Sequence, residues 1–386
     1  MRNPLNNKVQ VMKPSGIRKF FDIVSEMKDA ISLGVGEPDF ETPWHIREEA
    51  IYSLEKGRTV YTSNAGLKEL KVEVCNYLKR RYGLEYPDKN VLVTIGGSEA
   101  IDAALRAMVD PGDEVLIPEP CYVSYVPCVA LADGVPVTIE LKAENEFRLT
   151  KQELLDAITD KTKILIMPFP NNPTGAIMEE KDLRDIAEVV VEKDLFVISD
   201  EIYSELTYGR NHVSIASMPG MKERTIVING FSKSYAMTGW RLGYAVGPEE
   251  IITQMIKIHQ FAIMCAPTTS QYAAVEALKN GDPDVEMMRD AYDKRRKFLV
   301  ARLREIGLDC FEPYGAFYVF PCIKGFGMTS EEFATKLLEE EKLAIVPGTA
   351  FGDCGEGFLR ISYAYSIEQL KEALDRMENF IKRHKK

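Results

Sequence analysis

The sequence predicts an α/β fold, with a mostly parallel sheet covered on both faces by helices and joined to a smaller α+β domain. Three observations carry this expectation. From Val91 onward, short apolar β-branched runs alternate with stretches of helical periodicity, the pattern of strands buried on both faces. After Ala274 that rhythm stops, and long helical stretches flank isolated strand candidates. The chain has 386 residues, enough for one large domain and a smaller one.

Taken in order, residues 1–13 are polar and read as an arm or loop, and residues 16–27 place Ile17, Phe20, Phe21 and Val24 at helical spacing. The glycines at Gly34 and Gly36 are followed by Glu37-Pro38 where a dinucleotide fingerprint needs a helix to open, so they read instead as close approach of backbone to a ligand. Thr42-Pro43 starts a helix through Lys56, Tyr61 lies in the next loop, and residues 67–82 form a second helix. Strands are expected at 91–95, 114–117, 163–167, 195–199 and 225–228, with 242–246 as an antiparallel neighbour. One helix opens at Gly96-Gly97-Ser98, and another carries Leu183, Ile186, Ala187 and Val190 on one face. Further on, helices are expected at 283–306, 330–341 and 367–383, and strands at 316–320 and 358–362.

Composition narrows the function. Lys+Arg is 48 against Asp+Glu 59, a net charge of −11, which argues against a nucleic-acid surface. The basic run Lys382-Arg383-His384-Lys385-Lys386 reads as a solvated helix end that complements the dipole. Seven scattered cysteines without a CxxC pair fit reduced thiols in a cytoplasm. The four histidines show no metal-ligand spacing, so no metal is expected. No signal segment or membrane-length apolar run is visible. A soluble cytoplasmic protein with small-molecule partners is expected.

The chemistry gathers at the carboxyl ends of the predicted strands, where open α/β folds place their ligands. The strand at 225–228 runs into Asn229-Gly230 and then Ser232-Lys233-Ser234. A partly desolvated lysine there would hold a depressed pKa and act as an amine nucleophile; a solvated surface lysine is the plain alternative. Gly96-Gly97-Ser98 offers backbone amides and a capping hydroxyl, either an anion site or a simple helix cap. Asp200 ends an apolar strand, so its charge needs a partner or a turn role. Asn171 to Gly175 also fits turn chemistry, and Arg241 has the planar fork suited to phosphate. Together these give an amine, a cation, an anion-binding helix end, a carboxylate and an amide at one sheet edge, an inventory that matches pyridoxal 5'-phosphate.

The run Ser232-Lys233-Ser234-Tyr235-Ala236-Met237-Thr238-Gly239-Trp240-Arg241-Leu242-Gly243-Tyr244 resembles the lysine signature of class I/II aminotransferases. Asn172-Pro173-Thr174-Gly175, Asp200-Glu201-Ile202-Tyr203, Gly34-Val35-Gly36-Glu37-Pro38-Asp39-Phe40 and Arg360-Ile361-Ser362 are similar to further blocks of that family, and the likeness runs from Gly16 to the C-terminus. It is nearest to the branch holding prokaryotic aspartate and aromatic aminotransferases. The resemblance implies the fold type I of pyridoxal-phosphate-dependent transferases, with a mostly parallel seven-stranded sheet in a large domain at 44–281. The smaller α+β domain would combine 1–43 with 282–386.

It also implies an aminotransferase that moves the amino group of an L-amino acid, aspartate or aromatic by preference, to a 2-oxo acid such as 2-oxoglutarate by a ping-pong mechanism. A carbon–sulfur β-lyase or an N-acyl-diaminopimelate aminotransferase is the alternative on the same fold. By the same resemblance, Lys233 links to the cofactor and shuttles the proton, and Asp200 holds the pyridine nitrogen protonated. Tyr203 and Asn172 bond the ring oxygen, and Tyr122 stacks on the ring. Gly97, Ser98 and Arg241 hold the phosphate, with Tyr61 reaching in from the second subunit of a homodimer with shared active sites. Arg360 grips the substrate carboxylate beside the Gly36 backbone. Some members carry a phosphate-binding serine where this chain has Gly230, and Ser232 is the expected substitute.

Overall fold

The computed structural model describes residues 2–12, 14, 27 and 29–384, so the helix expected at 16–27 lies almost wholly outside the described residues. In the N-terminal segment a short exposed helix, α1 (Asn7–Val11), is capped by the Asn6 side chain, and Lys8 pairs with Asp133. Strand β1 (Ile31–Ser32) follows, then α2 (Trp44–Glu55) and α3 (Lys68–Tyr82). Gly83 ends α3 at φ 68°, a left-handed turn that glycine enters without a Cβ clash.

The main sheet is built from β2 (Val91–Thr94), β3 (Glu114–Glu119), β4 (Val135–Glu140), β5 (Thr162–Met167), β6 (Phe196–Asp200), β7 (Thr225–Gly230) and β8 (Gly243–Val246). Between and after these strands come α4 (Gly96–Met108), α5 (Tyr125–Leu131), α6 (Lys151–Ala157), α7 (Glu180–Glu192), α8 (Glu249–Ala262) and α9 (Thr268–Asn280). The strand order is β2-β8-β7-β6-β5-β3-β4. Neighbours run parallel except β8, which is antiparallel to both β2 and β7. Side chains alternate as a doubly covered sheet requires: Ile164 and Ile166 enter one core, and Leu165 and Met167 the other. Leu183, Ile186, Ala187 and Val190 of α7 pack into the second of these, as their spacing predicts.

Strand β4 was not expected from the sequence. It is the sheet edge, largely uncovered, and Pro136 interrupts its apolar run.

This topology positions the site. The parallel strands all end at one edge, and the antiparallel β8 begins there, so the residues just before it join the same edge. A Cβ on Gly243 would lie 2.6 Å from the Gly96 carbonyl carbon and 2.8 Å from the Gly97 nitrogen. Only a glycine lets the start of β8 press on the first turn of α4 in this way.

The remaining elements are α10 (Asp282–Glu305), β9 (Tyr318–Val319), α11 (Ser330–Glu341), β10 (Leu343–Ala344), β11 (Val346–Pro347), β12 (Leu359–Ser362) and α12 (Ile367–His384). Strands β11, β12 and β9 form an antiparallel sheet in that order, while β1 pairs in parallel with β10 and draws the N-terminal segment into this layer. Leu33, Tyr292, Phe317, Phe333 and Phe380 lie in its core; each such buried side chain contributes roughly 1.5–3 kcal/mol by transfer alone. No described helix is long and apolar enough to cross a membrane.

Candidate active site

A cavity of about 560 Å³ opens where the carboxyl edge of the main sheet meets the layer of β9 and β12. Lys233 enters it from the loop after β7. Its Nζ donates to the Gly36 carbonyl at 2.5 Å and lies 5.8 and 5.7 Å from the ring centroids of Tyr203 and Phe317. Burial lowers the Lys233 pKa and nearby Arg360 and Arg241 lower it further, against the pull of Glu37 and Asp200, so the amine falls to about 8. An amine that titrates near 8 carries a useful neutral fraction at physiological pH, far more than an ordinary lysine, and that fraction can act as nucleophile and base.

Asp200 sits at the end of β6, buried against the cavity wall. Burial raises its pKa, while the Tyr125 hydroxyl, donating at 2.7 Å, and the Ile202 N–H at 3.2 Å pull it back. Tyr203 follows in the next turn, its hydroxyl 2.9 Å from that of Tyr318. Burial pushes the Tyr203 phenol well up, so it stays a neutral hydrogen-bonding group.

Two arginines face the cavity without an acidic partner among the described residues. Arg360 on β12 donates to Asn172 Oδ1 at 2.9 Å and to the Gly34 carbonyl, and lies 4.6 Å from the Tyr318 ring centroid. Its Nε has no partner among the described residues, and burial lowers its pKa. Arg241 stands just before β8 at φ 51°, a left-handed conformation that costs a non-glycine residue about 1 kcal/mol. Its Nη1 donates to the Thr238 carbonyl at 2.9 Å, and a Cβ on Gly96 would come within 2.8 Å of its Nη2. The guanidinium therefore lies directly over the first turn of α4, where Gly97 and Ser98 also line the cavity.

The structure brings Gly36, Gly97, Ser98, Tyr122, Asn172, Asp200, Tyr203, Ser232, Lys233, Arg241 and Arg360 to this one cavity. Ser98 needs a correction. The residue capping α4 is Ile95, which makes no side-chain cap, and the Ile95 N–H is taken by Glu99. The helix begins earlier than the serine, so the Ser98 hydroxyl does not cap it and instead meets the Tyr122 hydroxyl at 3.5 Å. Tyr61 does not line the cavity of its own chain; it is 79% exposed on a loop whose Val60 carbonyl accepts from Thr268.

Gly230 has a steric explanation, since a Cβ there would lie 3.0 Å from both Gly243 Cα and the Leu242 carbonyl of the paired strand. Ser232 is buried and lines the cavity.

Sequence reasoning missed Tyr125 and Tyr318. Tyr125 holds Asp200 from α5, and Tyr318 meets Tyr203 from β9, so neither is adjacent in sequence to the group it serves. Tyr318 also explains Gly36, where a Cβ would lie 2.5 Å from the Tyr318 hydroxyl.

The family description "Aminotransferase class I and II" matches residues 28–377. The chain is 54% identical to a Bacillus subtilis protein named putative aminotransferase YugH, over 99% of both chains. It is 49% identical to an aspartate aminotransferase of Pyrococcus abyssi, again over 99% of both. The crystal structure of an aromatic aminotransferase from Pyrococcus horikoshii superposes with a TM-score of 0.91 at 48% identity, covering 95% of this chain and 99% of that one. The amine, the carboxylate and the two open arginines thus stand in a chain that belongs, over nearly its whole length, to the class I and II aminotransferases, and the protein is a transaminase.

Proposed function

We propose that the protein is a pyridoxal-phosphate-dependent aminotransferase that takes the amino group of an L-amino acid, aspartate or aromatic, and delivers it to a 2-oxo acid such as 2-oxoglutarate. The observation that carries this reading is an amine lowered to about 8 beside two arginines that have no acidic partner among the described residues. The donor set fits the cofactor. Arg241 and the α4 amides at Gly97 and Ser98, with Ser232 nearby, offer cationic and N–H donors for its phosphate. Asp200 is the anion for a protonated ring nitrogen, Tyr203 and Asn172 are donors for a ring oxygen, and Tyr122 is an aromatic face for the ring.

Once bound, the cofactor supplies a carbonyl carbon that takes the amino group and a ring that accepts the electron pair left at the substrate Cα. The protein's residues do the rest. Lys233 Nζ would hold the cofactor at its aldehyde, with loss of water, and would later carry the proton away from the substrate Cα. Asp200, held by Tyr125, would face the ring nitrogen. Arg360 binds the α-carboxylate through a guanidinium whose Nε has no partner among the described residues, and so orients the Cα–H bond. The first 2-oxo acid leaves before the acceptor binds, which gives ping-pong kinetics.

Aspartate and aromatic donors are supported by the names of the Pyrococcus abyssi and Pyrococcus horikoshii proteins above. We further propose a cytoplasmic homodimer of two-domain subunits, 44–281 and 1–43 with 282–386. Phe261 at 86%, Tyr61 at 79% and Val60 at 74% exposure are large apolar side chains left open to solvent, as interface residues are in a lone subunit, and Tyr61 would reach the partner's site. All seven cysteines are free thiols.

Borohydride reduction of protein incubated with pyridoxal phosphate tests the assignment. Peptide mass mapping is expected to find the reduced cofactor on Lys233, and an unlabelled Lys233 contradicts it.

A further inference from the structure

The Glu99 carboxylate lies in the first turn of α4 but does not line the cavity that Gly97, Ser98 and Ile101 line. Its Oε2 accepts the Ile95 N–H, and its Oε1 accepts from Nδ1 of His259 on α8, which packs beside α4. His259 is fully buried, and its Nε2 has no partner among the described residues.

The first N–H groups of a helix have no partner within the helix. A serine or aspartate at the cap position usually accepts one of them, but here that position is Ile95, which cannot. Glu99 reaches back to take the Ile95 N–H, which leaves the amides of Gly97 and Ser98 for an anion in the cavity. A carboxylate this close to an anion site must be held in place, and the His259 N–H does so while drawing on its charge. Packing alone does not account for His259, because a leucine would fill the space without burying an unpaired nitrogen.

We propose that Glu99 and His259 are positioning residues for the anion end of the active site: His259 fixes the Glu99 carboxylate, and Glu99 fixes the first turn of α4 that receives the cofactor phosphate. This role rests on the pyridoxal-phosphate reading, and the experiment separates the two. Cofactor-free full-length protein is titrated with pyridoxal 5'-phosphate and, separately, with pyridoxal, which lacks the phosphate; capture is followed by absorbance.

Glu99→Ala and His259→Leu are expected to weaken capture of the phosphorylated aldehyde by about tenfold and to leave pyridoxal unchanged. His259→Asn, whose amide N–H stands near the place of Nδ1, is expected to restore most of the loss. If Glu99→Ala does not fold, His259→Leu carries the same comparison, because it leaves the helix cap in place without its support. Equal weakening of both aldehydes, or no weakening in either variant, overturns the positioning role while leaving the functional reading intact. Failure of the unmodified protein to capture either aldehyde overturns both.

Discussion

Arg296 and Arg360 are both buried guanidinium groups, 4% and 2% exposed, yet their surroundings treat them in opposite ways. Arg296 on α10 binds Asp293 at 2.7 Å, Glu312, and the Pro313 carbonyl at 3.2 Å. Burial works against its charge, but the Asp293 bond and the other acids outweigh that cost and raise its pKa. Among the described residues Arg360 has only an amide and a carbonyl oxygen to bond, and burial lowers its pKa. A buried cation with its full set of acids ties structure together. One left without them on a cavity wall is held ready for an anionic ligand, at a cost the rest of the fold absorbs.

Four of the following experiments set that contrast against the lysine between the two open arginines, and a fifth examines the smaller His45 cluster. Lys233→Ala is expected to lower kcat by about 10⁴-fold or more, because nucleophile and proton carrier are lost together; steady-state transamination assays measure it. Neither arginine change should approach that loss. Arg360→Leu should raise the amino-acid KM and lower kcat/KM by about 10²-fold or more, the scale of losing one partner of a buried charge pair, with little loss of Tm.

Arg296→Leu should do the reverse. It strands Asp293 and Glu312, costs about 3 kcal/mol in denaturant unfolding and leaves KM unchanged. If the two variants behave alike, the contrast between structural and ligand-awaiting arginines fails.

The Lys233 amine gives a pH signature. Its acylation by an amine-directed reagent in cofactor-free protein, read by peptide mass, should rise through a midpoint of about 8. An ordinary lysine titrates near 10.4, so a midpoint there would place Lys233 in solvent.

The smallest effect concerns His45, whose Nδ1 lies 2.7 Å from Glu276 and whose Nε2 lies 3.0 Å from Asp284. Burial opposes its charge, but hydrogen bonds to Asp284 and Glu276 prevail and raise its pKa above 6.5. The pair energy is therefore fully present below pH 6.5 and lost as pH rises through the raised value. His45→Ala should cost about 0.5–1 kcal/mol at pH 6 and less at pH 9, by thermal unfolding. A cost that does not depend on pH would mean that packing, not charge, is what His45 contributes.

Much of the site was legible because it lies at strand ends. An apolar run that stops at Asp200 or just before Lys233 marks both the strand and the residue it presents. The antiparallel direction expected for β8 is the one that brings Arg241 to the same edge. Other contacts were not legible because they form only when separate layers meet. Tyr318 reaches Tyr203 across 115 positions and His259 reaches Glu99 across 160, with no periodicity to announce either. Ser98 looked like a helix cap because serine favours that role, whereas Gly96, at φ 74°, lets the helix start sooner. Strand β4 escaped notice because an edge strand need not be apolar throughout.

The central claim is that this cavity moves an amino group and does nothing else to the amino acid. The most direct measurement mixes protein loaded with pyridoxal phosphate and a stoichiometric amount of aspartate or an aromatic amino acid, with no 2-oxo acid present. One equivalent of the matching 2-oxo acid per site should appear and release should then stop, to resume only when 2-oxoglutarate is added. Continuous product formation without an acceptor, or release of ammonia or a thiol, would contradict the account.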